Sequence, residues 1–156
     1  MMRKVYRLAL GCVLMVSATL SASAQEPVGA KLATDAARKA CRQANGLRLT
    51  LKPEAVRSID LTGDGRPDYI VDFEHAECER RESIFCGTGG CDLAIVVALG
   101  GGRYRQVFRQ HVLRYAIEDG KGARTIRFDL HGTYCGKTGP EPCVKRRQID
   151  AKPFRF

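Results

Sequence analysis

The chain predicts an α+β fold in which an N-terminal helix packs on a largely antiparallel β-meander stabilised by disulfides. Three observations lead there. A single helical period, over residues 30–45, gives way to alternating apolar and polar positions through most of the remaining chain. Seven cysteines in 156 residues are a dense set. Turns rich in glycine, such as Gly100-Gly101-Gly102, separate the apolar runs.

The first element is a leader. Arg3, Lys4 and Arg7 precede an apolar run over residues 8–20 and then Ser21-Ala22-Ser23-Ala24-Gln25. A basic start, a short apolar core and a small-x-small site are the parts of a secretory signal peptide, and the run is too short to span a bilayer. Cleavage is expected after Ala24, giving a signal peptide over 1–24 and a single α+β domain over 25–156. No transmembrane segment remains after cleavage. Cys12 follows Gly11, but apolar sequence continues well beyond it, and lipidation is not expected.

The helix over 30–45 places Ala33, Ala37, Cys41 and Ala44 near one face and Lys31, Arg38 and Arg42 elsewhere. Asn45-Gly46 supplies a left-handed stop. Strands are then expected over 47–51, 56–61, 69–73, 91–99, 103–116, 124–131 and 144–149. Of these, 91–99 is a dense apolar run, unbroken from Leu93 to Leu99, and suits a central strand. Phe154 and Phe156 are expected to pack at the sheet edge, and no repeat or second domain is visible.

Export changes the reading of the cysteines. Cys41, Cys78, Cys86, Cys91, Cys135 and Cys143 remain after cleavage, an even set that reads as a disulfide framework in an oxidising compartment. Cys86 with Cys91 and Cys135 with Cys143 are bridgeable across glycine turns, which leaves Cys41 with Cys78, although sequence alone does not fix the connectivity. The absence of any Cys-x-x-Cys argues against thiolate-bound metal. Localisation is expected to be periplasmic or secreted.

Residues 60–68, Asp60-Leu61-Thr62-Gly63-Asp64-Gly65-Arg66-Pro67-Asp68, set acidic side chains at loop positions 1, 5 and 9 around a glycine turn. That layout suits a hard cation, with Ca2+ the candidate cofactor and Asp60, Thr62, Asp64, Arg66 and Asp68 the candidate ligating positions. The loop resembles the calcium loops of FG-GAP and VCBS-type repeats over about residues 60–73, matching at Asp60, Asp64, Gly65 and Asp68, with Tyr69-Ile70-Val71 as the following strand. Thr62 departs from the pattern, and one copy cannot build a propeller; the resemblance implies the loop alone. An EF-hand would need glutamate where Val71 stands. A metal-free turn, with the aspartates accepting nearby amides, is the other outcome these residues allow. Beyond the loop, the chain is similar to small exported bacterial proteins, a likeness that implies no activity.

The formal charge is +9, and the leader holds three of the 26 basic residues and none of the 17 acidic ones, leaving the mature chain at +6. Arg103, Arg105 and Arg109 share one parity of a predicted strand with His111, which expects a cationic row on one face, with Lys145, Arg146 and Arg147 adding to it. Such a row would suit an anionic envelope component or a protein partner, and nucleic acid is not an expected partner outside the cytoplasm. Asp72, Glu74, Glu77 and Glu79 beside His75 offer a second metal site or a general acid, read here as a solvated loop. No catalytic motif occurs around His75, His111 or His131, so an enzyme is not expected. The functional reading is an exported, disulfide-bonded binding or structural protein with a calcium-stabilised loop. The alternatives are a cationic envelope-surface binder and a periplasmic inhibitor resembling lysozyme inhibitors, which would meet a basic enzyme through residues 72–79.

Overall fold

The computed structural model describes residues 26–81, 84–118, 120 and 122–156. The expected leader and Cys12 lie outside them, as do residues 119 and 121 of the connection before Thr125. Among the described residues no helix is long and apolar enough to cross a membrane.

Helix α1 (Lys31–Gln43) buries Ala33, Thr34, Ala37 and Cys41. It ends at the expected place: Asn45 takes φ 60°, and the Gly46 N–H donates to the Cys41 carbonyl at 2.9 Å. Ten strands succeed it, namely β1 (Leu49–Leu51), β2 (Val56–Ile59), β3 (Asp68–Asp72), β4 (Ala76–Cys78), β5 (Cys86–Gly87), β6 (Gly90–Gly100), β7 (Arg103–Val112), β8 (Arg114–Glu118), β9 (Thr125–Leu130) and β10 (Cys143–Gln148). Every pairing between them is antiparallel.

The strands do not form one meander. β1 pairs with β4; β2, β3, β6 and β5 form a second sheet, with β7 also on β6; β8, β9 and β10 form a third. Residues 103–116, expected as one strand, divide at the exposed Leu113, where the chain leaves the second sheet for the third. β4 falls in the acidic stretch expected to be a loop, because Leu49, Thr50 and Leu51 pair with Cys78, Glu77 and Ala76.

β6 is the central strand that its composition predicts, buried from Leu93 to Ala98. Leu93, Ile95 and Val97 face a core shared with Ile126, Phe128 and Leu130 of β9, whereas Ala94 and Val96 face Ala33, Ala37 and Cys41 of α1. The small alanines let the helix approach closely. Past β10 the tail returns along β7, with the Phe154 N–H donating to the Val107 carbonyl at 2.9 Å. Phe154 and Phe156 complete a four-ring cluster with Phe108 and Phe128, centroids 4.9–6.2 Å apart.

The pairing of β6 with β7 corrects the cationic row. Ile95 lies opposite Phe108 but Val96 lies opposite Gln106, so Val107 is an extra residue, a β-bulge. Directly opposed residues share a face. Arg105, opposite Val97, therefore lies on the β9 side, and Arg109, opposite Ala94, lies on the helix side. Arg103 and Arg105 remain together; Arg109 is separated from them by the sheet.

Three disulfides, Cys41–Cys78, Cys86–Cys91 and Cys135–Cys143, join all six described cysteines. The first ties α1 to β4 so tightly that a Cβ on Gly46 would fall 2.2 Å from the Cys78 sulfur. Such a framework fits an oxidising, extracellular-type environment.

Candidate metal centre

The 60–68 loop is closed by its own hydrogen bonds. Asp60 Oδ1 accepts the Gly63 and Asp64 amides at 2.7 and 3.2 Å, and its Oδ2 accepts the Gly65 amide at 2.9 Å. These amides, Gly65 first, hold the Asp60 carboxyl below the usual carboxylate range. Gly65 supports the turn at φ 81°. Asp64 accepts from the Arg66 amide at 2.9 Å and pairs with the Arg66 guanidinium at 2.5 Å. A cation of the chain's own thus already neutralises the middle carboxylate.

Asp68 departs furthest from its expected ligating position. It is fully buried at the start of β3. Its Oδ2 accepts the Leu61 and Thr62 amides, both at 2.9 Å, and the Thr62 hydroxyl at 3.2 Å. Its Oδ1 accepts the Ala98 amide at 2.8 Å, across the sheet on β6. This carboxylate faces inward and fastens the loop to the core, and Thr62 is engaged with it. Arg124 anchors the other side, its amide donating to the Leu61 carbonyl at 2.7 Å and its Nε to the Asp60 carbonyl at 3.0 Å.

A different constellation gathers side chains that could hold a metal. β3 ends at Asp72, and the chain enters a 3-10 turn, Phe73–His75. Phe73 pins the turn from inside, fully buried against Phe85 with ring centroids 5.2 Å apart. The turn brings donor atoms of Asp72, Glu74 and His75 within 4.8 Å of one another. Ligands held about 2.0–2.2 Å from one ion in a tetrahedral set sit about 3.3–3.6 Å apart, so the set would close with side-chain shifts of about an ångström.

Burial pushes the Asp72 carboxyl above the usual carboxylate range, against the pull of the Glu74 amide and His75. That amide donates to Asp72 Oδ1 at 3.0 Å, leaving Oδ2 for another partner. Burial, reinforced by the negative charge of Asp72, likewise raises the Tyr115 hydroxyl; Arg57 opposes this. The cluster is a partly buried concentration of negative charge that a divalent cation would relieve.

Its members are visible in the sequence, but an alternating strand separates His75 from the two carboxylates. Only the turn at Phe73 brings all three together. Glu77, counted with them in the acidic stretch, pairs instead with Lys52 at 2.7 Å.

The remaining candidate groups are dispersed. His111 lies 3.4 Å from Asp92, and the same carboxylate accepts Arg109 Nε at 3.1 Å and its terminal nitrogen at 2.9 Å. The Arg109 guanidinium also lies over the Phe73 ring at 4.9 Å. Arg109 is therefore a structural ion pair under the helix. His131 contacts the Thr133 hydroxyl at 2.9 Å. No protein-family model, curated protein or solved structure matches the chain.

Proposed function

We propose that this chain is an exported binding protein, periplasmic or secreted, that takes a divalent cation at Asp72, Glu74 and His75 and performs no catalysis. The convergence of those donors on one 3-10 turn carries the reading. One imidazole with two carboxylates suits a first-row ion such as Zn2+ or Mn2+ better than Ca2+, which prefers six or more oxygens. Calcium at 60–68 is the weaker reading, since an ion there would compete with the amides on Asp60 and with Arg66 on Asp64.

Melting with and without Zn2+, after chelator treatment, tests the reading. At a free ion concentration a hundred times Kd, stabilisation of about 2.7 kcal/mol is expected, removed by His75→Ala or Asp72→Asn and retained in His111→Ala. The sign of the pH effect comes from Asp72. Its raised value means the fold favours the neutral acid, so without metal its contribution to stability falls as pH rises from about 3.8 through the folded-state value. Bound cation should reverse that trend. Equal zinc shifts in wild type and His75→Ala would refute the site, and a calcium shift lost in Asp64→Ala but kept in His75→Ala would return the ion to the 60–68 loop.

A further inference from the structure

The bulge at Val107 divides the predicted arginine row, but the tail builds a different cationic surface beside its surviving half. Arg105 donates to the Ala151 carbonyl at 3.0 Å, which brings Lys152 next to Arg105 and Arg103. Further along the tail, the Phe154 ring lies 5.3 Å from the Arg147 guanidinium, and the exposed Arg155 follows it. Lys145 occupies the same face of β10 as Arg147, opposite Phe128, whose ring meets Phe156 at 5.1 Å.

Six basic residues therefore rim the seam where residues 151–156 run between β7 and β10. Of these, Arg103, Arg105, Lys152 and Arg155 are exposed, while Phe154 and Phe156 between them are half-buried. Among the described residues one carboxylate side chain contacts this rim: Asp150 lies 3.4 Å from Arg147 and accepts the Lys152 amide at 2.8 Å. The outer face of the β8–β9–β10 sheet differs, because Arg127 pairs with Asp129 at 2.6 Å and Arg146 with Glu118 at 3.0 Å. The two buried side-chain donors without a partner among the described residues, Gln110 Nε2 and Arg147 Nε, also belong to residues that touch this tail.

We infer that the seam of Arg103, Arg105, Lys145, Arg147, Lys152 and Arg155 is a docking surface for an anionic lipid membrane. Charge complementarity supplies the attraction, because basic residues near an anionic bilayer are drawn to its negative surface potential. Phe154 and Phe156 anchor the tail on the buried Phe108 and Phe128, so the basic side chains around it are carried on a fixed segment. The surface is independent of the metal centre and uses none of its residues.

The test is cosedimentation of the disulfide-bonded protein with phosphatidylglycerol-containing vesicles and with pure phosphatidylcholine vesicles. Binding is expected to the anionic vesicles alone and to weaken steeply towards physiological salt, where the Debye length is about 8 Å. Lys152→Glu/Arg155→Glu should weaken it at least tenfold with melting unchanged, since both side chains are exposed. Arg42→Glu/Arg48→Glu applies the same change in net charge at the far end of α1 and should leave most of the binding intact. Equal loss in both double variants would reduce the effect to overall charge and overturn the assignment. So would equal binding to both vesicle types, or binding to dextran sulfate without binding to anionic vesicles.

Discussion

Asp68→Ala is expected to destabilise the fold by on the order of 3–5 kcal/mol, while Asp64→Ala changes stability by less than about 1 kcal/mol. The two aspartates belong to one loop and differ in what they touch. Asp68 is buried and accepts the Leu61, Thr62 and Ala98 amides, so its removal strands several donors away from water at about 1–3 kcal/mol each. Asp64 is exposed, and its pair with Arg66 lies at the surface, where such pairs contribute about 0–1 kcal/mol. Asp68→Asn should also be poor, because one face of the carboxamide is a donor and every partner of Asp68 is a donor too. Urea denaturation at one fixed pH measures all three variants. A loss below about 1 kcal/mol in Asp68→Ala would mean that water replaces the carboxylate, and that the residue is no buried anchor.

Removing the Cys41–Cys78 bridge by paired alanine substitution should cost about 4 kcal/mol, against about 2 kcal/mol for Cys86–Cys91. The chain-entropy model sets this order, because the bridges close segments separated by 37 and 5 residues. Both cysteines of the longer bridge are buried, at 0% and 5% exposure, so lost packing adds to the entropic term. The bridge also joins α1 to the two-stranded β1–β4 sheet. Protection of the α1 amides from hydrogen exchange should therefore fall more than that of β6 in the Cys41→Ala/Cys78→Ala variant. The opposite order of stability loss, or uniform deprotection, would show that the bridge does not specifically hold the helix.

By itself the sequence determined the features that depend on neighbours along the chain. Alanines at helical spacing, stopped by Asn45-Gly46, specify α1. The continuous apolar run around Ile95 marks β6 as central, because only a strand covered on both faces tolerates apolar residues at successive positions. Six cysteines left after an expected leader specify a disulfide framework, and Gly63 and Gly65 at positive φ specify the tight turn at 60–68. Tertiary structure alone decided the rest, since each remaining feature depends on what lies across a sheet. Val107 reads as an ordinary strand residue until β6 pairs with only one of Gln106 and Val107, and that single extra residue sends Arg105 and Arg109 to opposite faces. Asp68 is one carboxylate of an acidic loop until β6 presents the Ala98 amide to it. An alternating strand would put Asp72 and Glu74 on one face and His75 on the other, until buried Phe73 bends the chain into a 3-10 turn. Periodicity reports which side of its own element a residue occupies; pairing register and the packing of distant segments decide which side faces the core and which charges meet.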